Sequence, residues 1–237
     1  MAESKTGGVK LAVCVPLSWP SVPGAFFVSY TSLFAPSRLE AMARAGVTTL
    51  WHMVDGAFPL DLCRNRLVRR ALEIGASHVL FLDADMTFPR ELVTGLLAAD
   101  SDVAGALYFK KTPPFQPVPA RFNVRHDGQL MKPIRLPAKP SLVRCDVLGM
   151  GATMIKRRAL EWVGHPWFAY DVYKRTGERE ITEDVSFCRK IKTAGFDIVC
   201  DTRLVCGHVR SEIVGAEHWN AFRGKIERPR KGACKEM

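Results

Sequence analysis

The chain has 237 residues, of which 47% are hydrophobic and 24% are charged, and its formal net charge is +10. This composition is that of a globular protein and excludes wholesale disorder. The odd number of seven cysteines, without a close regular framework, excludes a disulfide-stapled miniprotein. The basic excess favours an anionic partner, such as a nucleotide, a nucleic acid or an acidic membrane surface, without choosing among them.

The cysteines and the longest uncharged run indicate in which cellular compartment the protein is expected. Cys14 and Cys200 stand inside apolar runs, where a free cysteine behaves as a small buried hydrophobe, so we expect a reducing, cytoplasmic environment. The run from Leu11 to Ser37 carries no charge, but prolines interrupt it. We therefore predict neither a transmembrane segment nor a signal peptide there.

The first half of the chain alternates between strand and helix patterns. Apolar runs predict buried strands over residues 11–15 and 78–82, and residues 47–53 and 102–108 are also predicted to be strands. Amphipathic patterns predict helices over 37–45, over 62–74 and from Pro89 onward. This alternation is typical of an α/β protein with a mainly parallel sheet.

The second half has a different character. Residues 108–144 contain eight Lys and Arg against one acidic residue, with many prolines, so we predict loops and short edge strands there. Beyond them we predict a helix over 183–194, capped by Thr182 and ended by Gly195. Further strands are predicted over residues 143–148, 153–155, 196–201 and 204–205.

Two carboxylates, Asp83 and Asp85, directly follow the predicted strand 78–82. Ligands of parallel sheets bind beyond the carboxyl ends of the strands. Carboxylates two residues apart can share a Mg²⁺ or Mn²⁺ ion that also contacts phosphate. The alternative is a pair of turn residues before the next helix, and the position after a buried strand favours the metal interpretation.

Two later groups extend this hypothesis. Glu183 and Asp184 begin a predicted helix, where carboxylates either stabilise the helix start or serve as a general base. His208 follows the last predicted strand and is a candidate third metal ligand, the alternative being a structural histidine. A zinc site with Cys200 and Cys206 is disfavoured because the chain lacks a C-x-x-C pair.

Two further features suggest substrate contacts. Arg64 lies near the start of the predicted helix 62–74, where a guanidinium can hold a diphosphate, the alternative being a solvated basic face. Trp167 and Phe168 form an aromatic pair that either packs in the core or offers a stacking platform for a sugar or a base.

The order of these features resembles the family 2-like GT-A glycosyltransferases of bacteria and phages, over roughly residues 10–210. The motifs that carry the resemblance are a strand ending at Pro16, Arg64-Asn65, Asp83-Ala84-Asp85, Gly149-Met150-Gly151, Thr182-Glu183-Asp184 and Cys206-Gly207-His208. It implies a single GT-A (Rossmann-like) domain over 1–212, with a mixed, mainly parallel central sheet flanked by helices, and a basic tail over 213–237.

The resemblance also implies roles at the donor side of the site. Asp85 would be the main ligand of Mn²⁺ or Mg²⁺, and Asp83 would touch the ribose or the metal's water shell. His208 resembles a late metal ligand of some families. The donor, a UDP-sugar, would further be met by Pro16, Arg64 and Ala84.

On the acceptor side, Asp184 resembles the base of inverting members, with Glu183 beside it. The acceptor would be met by Gly149, Met150, Gly151, Trp167 and Phe168. The Q-x-x-R-W-type motif and membrane helices of many relatives are absent from the sequence, which argues against a processive polysaccharide synthase.

The expected function is therefore metal-dependent transfer of a sugar from a nucleotide-diphosphate sugar to a hydroxyl group. Asp83-Ala-Asp85-Met-Thr87 also resembles the opening motif of haloacid-dehalogenase-type phosphatases, in which Asp83 would be the nucleophile and Asp85 the acid/base. Nucleotidyl transfer on a similar fold is a third possibility, and a non-catalytic nucleic-acid-binding module is a fourth.

The basic residues point to the acceptor. Residues 108–144 carry a net charge of +7 and residues 220–235 are also basic, and both could track a phosphate backbone. We expect an acceptor in DNA, a hydroxymethylated base of the kind that phages glycosylate, modified in the host cytoplasm. The alternative is that the charge serves solubility or a lipid or polysaccharide surface.

Overall fold

The computed structural model describes residues 7–17, 21–123, 131–172 and 179–210. The predicted basic tail over 213–237 lies outside these residues. No helix in the described ranges is long and apolar enough to cross a membrane. The helices are α1 Gly24–Leu33, α2 Pro36–Arg44, α3 Leu60–Glu73, α4 Leu92–Ala98, α5 Arg157–Val163 and α6 Glu183–Thr193.

The strands include seven that form one central sheet and six that form short two-stranded pairs. In chain order they are β1 Val9–Pro16, β2 Val47–Asp55, β3 His78–Leu82, β4 Met86–Thr87, β5 Val103–Leu107, β6 Ala120–Phe122, β7 Met131–Pro133, β8 Leu142–Cys145, β9 Ala152–Lys156, β10 Asp171–Val172, β11 Arg179–Ile181, β12 Ile198–Val205 and β13 Gly207–His208.

The central sheet has the order β2-β1-β3-β9-β5-β12-β8. Five of its strands point the same way, whereas β9 and the edge strand β8 are reversed. The prediction of an α/β fold with a mixed, mainly parallel sheet is therefore confirmed. Because β9 separates β3 from β5, the segment after Gly151 runs beside the end of β3.

Helices cover both faces of this sheet, and the side chains of β1 show why. Ala12 and Cys14 join one buried cluster, which also contains Leu67 of α3 and Phe187 of α6. Leu11, Val13 and Val15 join a second cluster, which contains Leu33 of α1 and Leu92 of α4. The continuous apolar run that predicted this strand thus reflects burial on both faces.

Several element boundaries differ from the prediction. Helix α4 begins at Leu92 rather than at Pro89, and residues predicted as two strands over 196–205 form the single strand β12. Two helices, α1 and α5, were not predicted. Helix α1 lies in the uncharged, proline-bounded run, where the alternation of polar and apolar residues that identifies an amphipathic helix is weak.

Helix α6 starts and ends close to its predicted limits. Gly195 follows it with a φ of +82°, a left-handed conformation that favours glycine. Thr182 stands at the N-cap position, but its side chain makes no capping bond to a backbone amide. Its hydroxyl donates to the carboxylate of Asp184 instead, so Thr182 is the N-cap residue as predicted but does not cap a backbone amide with its side chain.

Candidate active site

A cavity of about 760 Å³ lies where β1 and β3 end. Pro16, the last residue of β1, lines it, as do Asp83, Ala84 and Asp85 after β3. Two of the four predicted metal-binding and donor-binding segments thus line one cavity at this edge of the sheet. The other lining residues are Ser21, Val22, Pro23, Leu60, Lys111, Val209 and Arg210.

Beneath this cavity, Arg64 of α3 is enclosed by carboxylates and is only 2% exposed. Its Nη2 lies 3.0 Å from Oδ1 of Asp83, and its Nε lies 3.3 Å from Oε1 of Glu183. Burial alone would lower the pKa of Arg64, but Asp83 and Glu183 raise it above its ordinary value. Arg64 therefore stays charged and holds these two acids, and the prediction that it binds a diphosphate bidentately is corrected.

Asp83 is correspondingly less acidic than an exposed carboxyl. Burial is the largest influence and raises the pKa of Asp83 despite the attraction of Arg64. Both of its carboxylate oxygens face Arg64, since Nη2 lies 3.0 Å from Oδ1 and 3.2 Å from Oδ2. A carboxylate paired with a buried guanidinium in this way keeps a fixed orientation at the cavity.

Asp85 has different surroundings from Asp83. Its Oδ2 lies 2.6 Å from Nζ of Lys111 and 3.7 Å from Nε2 of His208. Burial alone would raise the pKa of Asp85, but interactions with His208 and Lys111 outweigh it and lower this pKa to about 2. The carboxyl of Asp85 is therefore ionised at neutral pH.

Backbone pairing brings His208 to this position. Strand β13 pairs antiparallel with β4, which places His208 opposite Met86, and the amide of Val209 donates to the carbonyl of Asp85 at 2.7 Å. Nδ1 of His208 lies 2.9 Å from the carbonyl oxygen of Phe109 and donates to it. The other ring nitrogen, Nε2, faces the carboxylate of Asp85.

Asp85 and His208 could hold a divalent cation if phosphate oxygens of a substrate complete its coordination. Among the described residues, no group of three or more His, Cys, Asp or Glu forms a complete metal site, because Asp83 is turned towards Arg64. Asp85 and His208 remain as two ligands. Mg²⁺ and Mn²⁺ are commonly held by one or two protein ligands together with substrate phosphates and water, so two are sufficient beside a diphosphate.

Glu183 and Asp184 separate into two environments although they are adjacent in sequence. Glu183 is buried against Arg64. Asp184 is half-buried and accepts a hydrogen bond from the amide of Val185 at 2.8 Å. Of the two acids predicted to be catalytic, only Asp184 is thus accessible for proton transfer.

The residues predicted to meet the acceptor are buried. Trp167 is 6% exposed and Phe168 is fully buried, with its ring stacked on Phe187 at 4.7 Å between centroids. Neither ring offers a face to a sugar or a base, so the structure contradicts their assignment as a stacking platform and supports packing in the core.

The turn over 149–151 is also inaccessible. Met150 is 1% exposed, and a Cβ atom on Gly149 would collide with the hydroxyl of Tyr108. The amide of Gly151 donates to that hydroxyl at 3.3 Å. Gly149, Met150 and Gly151 therefore pack against Tyr108 instead of contacting an acceptor, which corrects their predicted role.

Lys111 and Arg210 are functional candidates that the sequence reasoning missed. Both line the cavity, and Arg210 donates to the carbonyl of Lys111 at 3.4 Å. Lys111 belongs to the basic segment 108–144, whose charge was assigned to the acceptor alone. The signal was therefore present in the composition, but only the fold shows that part of this charge faces the D-x-D carboxylates.

No protein-family model and no curated protein sequence matches this chain. Among solved structures, A197 from STIV aligns with a TM-score of 0.55 and 16% identity, covering 86% of this chain and 87% of that one. GalNAc-T7 with UDP, GalNAc and Mn²⁺ aligns with a TM-score of 0.56 and 13% identity, covering 86% of this chain and 44% of GalNAc-T7. The fold is GT-A-like. In this GT-A-like fold, the D-x-D carboxylates and His208 lie at one edge of the central sheet.

Proposed function

We propose that the protein is a metal-dependent glycosyltransferase that moves a sugar from a nucleotide-diphosphate sugar, a UDP-sugar, to a hydroxyl acceptor. The observation that carries this proposal is the convergence of Asp85 and His208 beside the 760 Å³ cavity of a GT-A-like fold. The presence of UDP, GalNAc and Mn²⁺ in the structure of GalNAc-T7 supports the choice of donor and metal.

Different residues of the chain would hold the metal, stabilise the diphosphate and orient Asp83. Asp85 and His208 would hold Mn²⁺ or Mg²⁺, which when bound neutralises charge on the leaving diphosphate. Lys111 and Arg210, both on the cavity wall, add positive charge where that diphosphate would lie. Arg64 fixes Asp83, so that this carboxylate keeps one orientation at the wall of the cavity.

Bond formation would proceed with inversion. The acceptor oxygen forms a bond to the anomeric carbon while the bond from that carbon to the diphosphate oxygen breaks. The bonding pair leaves with the nucleoside diphosphate, and Asp184 takes the proton of the acceptor hydroxyl. Asp184 suits this role because it is partly exposed, whereas Glu183 is neutralised by Arg64.

The direct test measures Mn²⁺-dependent release of UDP from a panel of UDP-sugars, with Asp85→Asn as the test variant. We expect a loss of about a hundredfold or more, since the variant removes the ionised ligand. Asp100→Asn is the matched control, because Asp100 pairs with Lys156 and does not line the cavity. Unchanged turnover by the Asp85 variant, or phosphate release from a simple phosphomonoester instead, contradicts the proposal.

A further inference from the structure

Tyr108 directly follows β5 and lies between the chain segments that carry Asp85 and His208. Its side chain is buried. Its hydroxyl accepts a hydrogen bond from the amide of Gly151, and the carbonyl of Gly151 in turn accepts one from the amide of Asp83 at 3.0 Å. Its ring lies against the ring of His208. One buried side chain thus touches His208 directly and the D-x-D segment through Gly151.

The turn over 149–151 encloses the hydroxyl end of Tyr108. A Cβ atom on Gly149 would collide with the hydroxyl oxygen, and one on Gly151 would lie 3.2 Å from it. The backbone of Tyr108 is held as well, because its carbonyl accepts from the amide of Val118 at 3.0 Å. These contacts fix where the ring of Tyr108 lies.

The chain around Tyr108 meets the segment of His208 at three successive residues. The carbonyl of Leu107 accepts from the amide of Cys206 at 2.8 Å, and the carbonyl of Phe109 accepts from Nδ1 of His208 at 2.9 Å. Between them, the ring of Tyr108 stands at 90° to the ring of His208, with 5.7 Å between the centroids. This edge-to-face arrangement is favourable for a pair of aromatic rings.

The two side-chain contacts restrict different motions of His208. The hydrogen bond to Phe109 fixes one nitrogen but leaves the imidazole able to swing about it, whereas the perpendicular ring of Tyr108 limits that swing. Nε2 lies 3.7 Å from Oδ2 of Asp85, a separation that depends on the orientation of the imidazole. Groups behind a ligating histidine set its orientation, and their loss commonly weakens metal binding by ten- to a hundredfold.

We propose that Tyr108 is a positioning residue whose ring holds the imidazole of His208 towards Asp85, so that both can bind one divalent cation. The consequence for metal binding rests on the proposed function. The orientation of His208, however, exists before any metal binds and can be measured in the metal-free protein. The two proposals can therefore be separated by experiment.

The first measurement is NMR of the His208 ring nitrogens in the metal-free protein, with His208→Gln identifying the signals. We expect the wild type to show a protonated Nδ1 that exchanges slowly with solvent, because it donates to Phe109. Tyr108→Leu should lose this signal, whereas Tyr108→Phe, which keeps the ring, should retain it. The matched control is Phe168→Leu, which removes a buried ring from the core cluster on the other face of the sheet and should leave the signal unchanged.

The second measurement is the affinity for Mn²⁺, determined from the electron paramagnetic resonance signal of free Mn²⁺. We expect Tyr108→Leu to bind Mn²⁺ about tenfold more weakly. Tyr108→Phe and the Phe168→Leu control should bind as the wild type does. In a His208→Gln background, Tyr108→Leu should cause no further loss, since Tyr108 acts through His208.

A steric variant tests the same contact without removing the ring. Gly149→Ala places a methyl group against the hydroxyl of Tyr108, so it should displace the ring and weaken both the NMR signal of His208 and the binding of Mn²⁺. Adding Tyr108→Phe removes the colliding oxygen and should restore both. This pair decides the question if Tyr108→Leu does not fold, and a failure of Tyr108→Phe to restore them contradicts the proposed role.

Three other results overturn the inference: a His208 signal that survives Tyr108→Leu, an equal loss in Phe168→Leu, or additive losses of Mn²⁺ affinity in the variant that combines Tyr108→Leu with His208→Gln. If the wild type binds no Mn²⁺ while the His208 signal responds as expected, the proposed function fails and the positioning of His208 by Tyr108 stands.

Discussion

The ammonium group of Lys111 lies 2.6 Å from Oδ2 of Asp85, the same carboxylate oxygen that faces His208. A basic side chain thus occupies the neighbourhood in which the proposed metal would bind. A divalent cation bound to this oxygen would compete with Lys111 for it. The displaced ammonium would then stand on the cavity wall, beside the donor diphosphate.

Replacing Lys111 should therefore strengthen metal binding. In Lys111→Met we expect Mn²⁺ to bind about tenfold more tightly, because a competing cation is removed from Asp85. The free Mn²⁺ signal in electron paramagnetic resonance measures this affinity without turnover. The control is Lys110→Met, an adjacent exposed lysine, which should bind Mn²⁺ as the wild type does. Equal affinities for the two variants would show that Lys111 does not compete.

The same ion pair predicts a pH dependence of stability. The folded pKa of Asp85, about 2, is below its ordinary value of 3.8. A carboxyl with a lowered folded pKa stabilises the protein above its unfolded pKa and loses this contribution as the pH falls through the folded value. We expect the stability difference between wild type and Asp85→Asn to shrink between about pH 5 and about pH 2.

Screening by solvent limits how much ionised Asp85 contributes to the free energy of unfolding. The side chain of Asp85 is 44% exposed, so its contribution should stay below about 1 kcal/mol. Urea unfolding of both proteins at several pH values measures it. A stability difference between the two proteins that does not change with pH would contradict the stabilisation of ionised Asp85 by Lys111 and His208.

Arg64 should matter for stability more than for donor affinity. Arg64→Met leaves the carboxyls of Asp83 and Glu183 without their buried counter-ion, and we expect a loss of about 3 kcal/mol or more in the free energy of unfolding. Arg66→Met, on the same helix but exposed, should change it by less than about 0.5 kcal/mol. Adding Glu183→Gln to Arg64→Met should recover part of the loss, and a strictly additive double variant would contradict this pairing.

Substitutions of the two adjacent acids of α6, Glu183 and Asp184, should affect the transfer rate differently. Asp184→Asn should lower the rate of sugar transfer by about a hundredfold or more while Mn²⁺ affinity is retained, because only proton acceptance is removed. Glu183→Gln should act mainly on stability, through Arg64. Stopped assays of transfer, together with the Mn²⁺ titration, separate these effects. A transfer rate that survives Asp184→Asn excludes this residue as the base.

The sequence predicted the parts of the fold that depend on local patterns. Strand β3 was predicted at its observed limits, because each of its apolar residues is buried. The association of Asp85 with His208 was also anticipated, since both follow strands of one sheet. Helix α1 was missed because its uncharged sequence resembles a loop.

Long-range packing decided what the sequence could not predict. Trp167 packs in the core because its indole N–H donates to the carbonyl of Leu160 at 2.8 Å, a partner that no local pattern indicates. Lys111 reaches Asp85 only because the chain returns past the end of β3 after β5. Composition identified the basic segment, but only the three-dimensional structure shows that Lys111 of this segment lines the cavity.

The pairing of β13 with β4 also has a consequence for the order of synthesis. Asp85 leaves the ribosome more than a hundred residues before His208, a delay of about ten seconds at ordinary elongation rates. During this interval β12 is incomplete, so β5 and β8 lack the neighbour that each of them pairs with. A nascent chain therefore carries Asp85 without His208, and the proposed site is complete only after β12 and β13 have been translated.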